Sequence, residues 1–120
     1  MAVLSQRKGA VAILFLGPPQ GQGDFAACHR EVLRLAQEEQ LSKFIIDLAS
    51  VTRVTSAQLS LLITIHRAVR DQRGELKLAN VSEPLHRILT RTRLARLFKS
   101  YDSVEQAIAS FETAQAGAEG

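Results

Sequence analysis

Short apolar runs recur along the chain in patterns that favour buried β-strands. Residues 10–16 ("AVAILFL") and 43–49 ("KFIIDLA") are almost continuously apolar, which is typical of strands covered on both faces. We predict two further strands, at residues 2–6 and 74–81. The glycine- and proline-rich segment 17–23 ("GPPQGQG") predicts a loop between a strand and the element that follows it.

Between these runs, apolar residues recur three or four positions apart, which predicts amphipathic helices. One helix should follow the loop 17–23, a second should span 57–73, a third should begin near Pro84, and the last should lie within 101–111. Gly74 is expected to end the second helix. The core-facing side of that helix is expected to comprise Leu61, Leu62, Ile65, Ala68 and Val69. The segment before the last helix is expected to pack through Leu94, Leu97 and Phe98.

Strands that alternate with helices imply crossover connections and a mostly parallel sheet. We therefore predict an α/β fold with a mixed sheet of four to five strands, flanked by about four helices. One domain should occupy residues 1–111. Residues 112–120 ("ETAQAGAEG") are small and polar, and we expect them to form a flexible C-terminal tail.

Composition narrows the possible functions. The chain has 120 residues, of which 46% are hydrophobic, so a single domain can bury a substantial core. A formal net charge of +3 and the scarcity of aromatic residues do not favour direct binding of nucleic acid. The apolar runs are too short to span a membrane. A lone cysteine, Cys28, with no signal-peptide pattern favours the cytoplasm.

No sequence motif for catalysis or cofactor binding is evident. Ser56 lacks the G-x-S-x-G context of a hydrolase nucleophile, and no phosphate-binding or dinucleotide fingerprint is present. His29, His66 and His86 lie on separate predicted helices without the spacing of metal ligands, and we expect them on the surface or on helix flanks. We therefore expect no enzyme activity, no cofactor and no metal site.

The segment "FIIDLASVTRVTSAQLSLL" places two hydroxyl residues, Thr55 and Ser56, between the third predicted strand and the second helix. A serine at this position can cap the helix by accepting a hydrogen bond from a backbone N–H group one turn on. A phosphate on Ser56 would also be favourable, because free N–H groups and the helix dipole attract anions. Ser56 is therefore either a cap or a phosphorylation site.

This segment resembles the STAS domain in its single-domain form, the anti-sigma factor antagonist. In that family a strand ending in "DL" precedes a short loop and a pattern close to D-S-x-G-L-x-x-L, and the resemblance extends over residues 10–111. It implies a sheet flanked by helices. It also implies binding to an anti-sigma factor that is a serine kinase, with phosphorylation of the serine at the start of the second helix breaking the complex. That serine aligns with Ser56.

The sequence departs from the family pattern at two positions. Thr55 replaces the aspartate before the serine and could itself accept phosphate, and Gln58 replaces a glycine at a position where a partner usually approaches closely. Asp47 matches the strand-end aspartate, and we expect it to fix the loop by hydrogen bonds. The predicted partner-binding surface comprises Asp47, Arg53, Thr55, Ser56, Gln58, Leu59 and Ile63.

Three alternatives stay open. Leu59 and Ile63 either pack on a neighbouring helix or form an apolar edge for a partner. The stretch 87–99 carries five cationic residues and no acid, so it is either a solvated face or a surface for an acidic partner or a nucleic-acid backbone. The protein could also be a scaffold or sensor module in a larger signalling assembly, without a phosphorylation switch. As an antagonist it is expected to be a monomer or a weak homodimer.

Overall fold

A computed structural model describes residues 4–16, 23–51 and 53–119, and the side chains of residues 5–16, 25–51 and 53–111. Five strands form one sheet in the order β1-β2-β3-β4-β5, with β1 antiparallel to β2 and the other pairs parallel. The strands are β1 Leu4–Lys8, β2 Val11–Phe15, β3 Lys43–Asp47, β4 Glu75–Ala79 and β5 Lys99–Tyr101. The helices are α1 Gly23–Glu38, α2 Ser56–Asp71, α3 Glu83–Arg91 and α4 Val104–Glu119, with a 3-10 helix at Leu94–Arg96. This architecture confirms the predicted α/β fold.

The alternation of side chains along the strands divides the core between the two faces of the sheet. Residues such as Leu14, Ile46 and Leu78 face α1, α2 and α3 in the larger cluster. The neighbouring positions on the same strands, including Ile13 and Ile45, face α4 in a smaller cluster. The parallel strands β2 to β4 are therefore covered on both faces, which explains why β2 and β3 lack clear alternation of polar and apolar residues.

Several predicted boundaries needed correction. The first strand extends to Lys8, beyond its predicted end at residue 6, and residues 2 and 3 of the predicted strand lie outside the described residues. Strand β5 was not predicted because its three residues, "KSY", carry no apolar run. Helix α4 continues to Glu119, so its backbone includes most of the segment predicted as a tail. The division of the chain into a domain at 1–111 and a flexible tail at 112–120 stays a prediction.

Helix α2 ends at Asp71, two residues before the end expected from Gly74 as its stop. The left-handed residue is Arg73, with a φ of 60°. Gly74 is required for a different reason, because a Cβ at this position would collide with the carbonyl oxygen of Ser42. Its N–H donates to the carbonyl oxygen of Val69 at 2.8 Å, so the chain passes directly from α2 into β4.

Two buried basic side chains, His66 and Lys77, were not anticipated. His66, predicted on the surface or on a helix flank, is only 8% exposed and packs edge to ring against Phe98, so it is not a surface residue. Lys77 is 1% exposed on the α4 face of β4, where its ammonium donates to the Ser110 hydroxyl at 2.6 Å and lies 4.1 Å from the Phe111 ring centre. By contrast Leu97, predicted to pack, is 40% exposed.

Cys28 behaves as the apolar helix pattern predicts. Its side chain is fully buried in the larger core cluster. Burial raises the pKa of the Cys28 thiol to about 12, because the charged thiolate would lose its hydration. The thiol is therefore protonated and shielded near neutral pH.

Candidate functional site

The loops that follow β3 and β4 meet at the carboxyl edge of the sheet, and Asp47 joins them. Its carboxylate oxygen accepts a hydrogen bond from the Ala49 backbone N–H at 2.9 Å and from the Asn80 side-chain amide at 3.1 Å. Asn80 adopts a φ of 57°, and its backbone N–H donates to the carbonyl oxygen of Tyr101. Asp47 thus fixes the loop after β3, as the sequence predicted.

A second bond between the loops holds the middle of the connection from β3 to α2. The Ser82 hydroxyl, which caps α3 by accepting from the Leu85 N–H, also donates to the carbonyl oxygen of Val51 at 3.3 Å. The Val51 side chain is fully buried, and its N–H donates to the carbonyl oxygen of Leu48. This part of the connection is therefore anchored both to the core and to α3.

Helix α2 begins with a capping box formed by Thr55 and Gln58. The Thr55 hydroxyl accepts from the Gln58 N–H at 3.1 Å, and the Gln58 side-chain oxygen accepts from the Thr55 N–H at 2.8 Å. Of the two roles considered for Ser56, that of the helix cap is therefore wrong. Thr55 takes that role because its backbone is still extended, whereas Ser56 is already the first helical residue.

The Ser56 side chain is exposed and makes no hydrogen bond with any residue that the structure describes. Free backbone N–H groups at this end of α2 create a positive electrostatic potential, and the first turn contains no acidic residue. Arg53, three residues earlier, is also exposed. The surroundings of the Ser56 hydroxyl are therefore accessible and favourable for an anion.

Gln58 replaces a glycine of the family pattern, which suggested that its side chain would project where a partner approaches. In the structure it has a different role. Its side chain is only 3% exposed, because it turns back towards the Thr55 backbone instead of projecting outwards. The additional side chain therefore leaves the outer surface of the first turn accessible. Gln58 holds Thr55 and the start of α2 in place, and its predicted contact with a partner stays a prediction.

The structure does not bring all the predicted contact residues to one place. Thr55, Ser56 and Arg53 are exposed around the start of α2, while Leu59 is half-buried against the larger core cluster. Ile63 lies about 10 Å from Ser56 along the axis of α2. It lines a separate groove with His66 and Arg67. The surface near Ser56 is therefore smaller and more polar than the sequence suggested.

Two further features bear on the class of site. Within the described parts of the chain, no three His, Cys, Asp or Glu side chains are arranged to hold a metal ion. The helices of those same parts include none long and apolar enough to cross a membrane. The feature that distinguishes this edge of the sheet is the accessible hydroxyl of Ser56, which lies beside the hydrogen-bonded loop between β3 and α2.

Comparison with known proteins identifies the family. The model of the STAS domain matches residues 6–107, which include every strand from β2 to β5 and the start of α2. The chain belongs to the STAS domain family. Membership confirms the resemblance found in the sequence and accounts for the mixed sheet with α4 on its second face.

Solved STAS structures share the fold at low sequence identity. A Ser-to-Glu variant of RsbS from Moorella thermoacetica superposes with a TM-score of 0.83 at 13% identity, covering 95% of this chain and 97% of that one. An anti-sigma factor antagonist from Mycobacterium paratuberculosis gives 0.75 at 16% identity, covering 91% and 92%. The phosphorylated form of SpoIIAA, a Bacillus cell fate determinant, gives 0.71 at 13% identity, covering 92% and 99%.

Proposed function

We propose that this STAS domain is an anti-sigma factor antagonist that binds an anti-sigma factor with serine kinase activity. Phosphorylation of Ser56 would release that partner and so regulate transcription that depends on a sigma factor. The protein would act in the bacterial cytoplasm by binding and not by catalysis. The observation that carries this proposal is the exposed hydroxyl of Ser56 at the first position of α2, which makes no hydrogen bond with the other described residues.

The geometry favours Ser56 over Thr55 as the acceptor of phosphate. The Thr55 oxygen accepts from the Gln58 N–H, and phosphorylating it would disrupt the capping box. The Ser56 oxygen has no such role within the described residues, so its modification would leave that pair of hydrogen bonds in place. The replacement of the family's aspartate by Thr55 is thus compatible with a switch at Ser56, since threonine also caps helices.

A phosphate on Ser56 would change the surface without unfolding α2. It would add about −1.5 to −2 charges at neutral pH, close to N–H groups that favour an anion. The bonds of Asp47 and Ser82 would hold the adjacent loop in place. A partner that packs on the unphosphorylated surface would then have to bury this added charge, which makes its release favourable.

The proposal can be tested with lysate from the cells that produce the protein. Immobilised wild-type chain, Ser56→Glu and Ser42→Glu would be incubated with lysate, and bound proteins identified by mass spectrometry. Ser42 is exposed just before β3, at the opposite edge of the sheet, so its variant adds the same charge elsewhere. In parallel, wild type, Ser56→Ala and Thr55→Val would be incubated with ATP and lysate, and phosphate mapped to residues.

The expected partner is an ATP-binding anti-sigma factor. It should be retained by wild type and by the control variant Ser42→Glu, and it should be lost from Ser56→Glu. Phosphate should appear on Ser56 of wild type and Thr55→Val, and be absent from Ser56→Ala. Circular dichroism should show that every variant is folded. Equal retention of partners by all three baits, or phosphate on Thr55 alone, would overturn the proposed switch. Stable high-order assemblies retained by Ser56→Glu would favour the scaffold alternative.

A further inference from the structure

A groove runs along the second half of α2, at the end of the sheet opposite to Ser56. It consists of two adjoining cavities of about 300 Å³ and 480 Å³ that share His66, Arg70 and Leu97. Its walls come from α2, from the start of β4, and from the segment that joins the 3-10 helix to β5. The proposed function assigns no role to this groove.

Cationic side chains dominate the groove. Arg67, Arg70 and Arg96 are exposed along it, and none forms an ion pair with a carboxylate among the described residues. On α1, by contrast, Arg34 binds the Glu31 carboxylate at 2.7 Å. The three groove arginines therefore leave their charge and their hydrogen-bond donors available to a ligand.

The acidic residues of the groove do not neutralise it. Lys99 adds a fourth cation, and its ammonium lies 3.8 Å from the Glu75 carboxylate. That same carboxylate lies 3.9 Å from the buried Lys77 ammonium, so two cations share it. Asp71 is the other acid of the lining. The groove is thus positive overall and complementary to an acidic ligand.

An apolar centre separates these cations. Leu97, 40% exposed, lines both cavities, and the half-buried Ile63 lines one of them. Beneath them lies His66, whose two ring nitrogens are buried without a hydrogen-bond partner among the described residues. An exposed leucine alone is ordinary, but one surrounded by unpaired arginines matches the pattern of an apolar anchor with a charged rim.

We propose that this groove docks an acidic segment of a partner protein. An apolar side chain of that segment would pack on Leu97, and its carboxylates would face Arg67, Arg70 and Arg96, where arginine can bind carboxylates in a bidentate manner. The apolar centre disfavours a nucleic-acid backbone, which would leave Leu97 uncovered. No aromatic side chain is exposed in the lining for base stacking.

The groove is independent of the proposed switch. Arg70 follows Ser56 by fourteen helical positions, which corresponds to about 21 Å along α2. A partner at the start of α2 and an acidic segment in the groove could therefore bind at the same time. The inference does not rest on the proposed function, and a variant of the groove leaves the Ser56 surface unchanged.

The test uses the full chain and labelled synthetic peptides as probes. The first peptide is helical, with glutamates flanking a pair of leucines. The second replaces its glutamates by glutamines, the third replaces its leucines by serines, and a single-stranded oligodeoxynucleotide tests the nucleic-acid alternative. Affinities would be measured by fluorescence anisotropy for wild type, Leu97→Ser and Arg70→Gln/Arg96→Gln. The matched control Arg30→Gln/Arg87→Gln removes two exposed arginines outside the groove.

We expect only the first peptide to bind, with NMR amide shifts confined to residues 63–76 and 96–99. Leu97→Ser and Arg70→Gln/Arg96→Gln should each weaken binding about tenfold or more, while the control variant stays near wild type. Melting curves would verify that every variant is folded. The inference is wrong if the first peptide does not bind, or if the oligonucleotide binds more tightly than that peptide. It is also wrong if the groove double variant and the control double variant weaken peptide binding equally.

Discussion

Thr55 and Gln58 hold each other in place at the start of α2. Each backbone N–H donates to the other residue's side-chain oxygen, at 3.1 Å for the Thr55 hydroxyl and 2.8 Å for the Gln58 amide oxygen. These bonds satisfy two N–H groups that a helix end would otherwise leave without partners. They also leave the hydroxyl of Ser56 without a structural role among the described residues.

The first prediction concerns this cap. Thr55→Val removes the hydroxyl while keeping the shape of the side chain, and it should lower the free energy of unfolding by about 1 kcal/mol. Thr55→Asp should stay close to wild type, since aspartate also accepts from the N–H one turn on. Urea unfolding of both variants provides the measurement. Equal stability of wild type and Thr55→Val would show that the capping box contributes nothing.

The second prediction concerns Asp47, which bridges Ala49 and Asn80. Asp47→Ala should lower the free energy of unfolding by about 1 to 3 kcal/mol, because it leaves two donors without their acceptor. Hydrogen exchange of the Ala49 amide should accelerate. Asp71→Ala provides the control, since Asp71 is exposed and makes no hydrogen bond with the residues that the structure describes. Unchanged exchange at Ala49 would contradict the loop-fixing role.

The third prediction follows from the burial of His66. Burial and the nearby Arg70 lower the pKa of His66 below its usual value near 6.5, so the unfolded chain binds the proton more readily than the folded one. Its contribution to stability is therefore complete above about pH 6.5, the unfolded value, and is lost as the pH falls towards the lowered folded pKa.

Urea unfolding between about pH 8 and about pH 5 would measure this loss. In His66→Phe the part of the pH dependence due to His66 should disappear, whereas His86→Gln, which alters an exposed histidine, should retain it. Arg96, Lys99 and Glu75 are further charged residues of the groove that His66 lines. An unchanged profile in His66→Phe would contradict the prediction.

The fourth prediction concerns Lys77, whose buried ammonium contacts the Ser110 hydroxyl and the Phe111 ring and lies 3.9 Å from the Glu75 carboxylate. Ser110→Ala should lower the free energy of unfolding by about 1 to 3 kcal/mol, since it removes a hydrogen bond from a buried charge. Lys77→Met removes the charge together with its need for partners and should cost less or even stabilise the fold. In the Lys77→Met background, Ser110→Ala should then have a much smaller effect, which a double-mutant cycle would quantify.

The sequence was sufficient for the fold because its strongest signals are local. The apolar runs that form β2 and β3 and the helical periodicity of α2 are properties of consecutive residues, and both appear near the predicted positions. The loop-fixing role of Asp47 could also be predicted, because its bond to the Ala49 N–H is local in sequence, whereas its predicted place in a partner-binding surface stays a prediction.

Features that depend on distant parts of the chain were missed. The burial of His66 comes from Phe98, and that of Lys77 from Ser110 and Phe111 on α4, and none of these pairs is close in sequence. The exposure of Leu97 depends on the course of the chain from the 3-10 helix into β5. Helix α2 starts one residue earlier than predicted, so Thr55 and not Ser56 is its cap. Residue preferences alone do not define a helix start to within one residue.

The most direct test of the central claim is the affinity of the captured anti-sigma factor for three purified chains: wild type, Ser56→Glu and Ser42→Glu. Isothermal titration calorimetry would provide the dissociation constants. The account predicts that Ser56→Glu binds at least about a hundredfold more weakly than wild type, the equivalent of roughly 2.7 kcal/mol, while Ser42→Glu binds as wild type does. Equal affinities of all three chains would contradict a switch at Ser56.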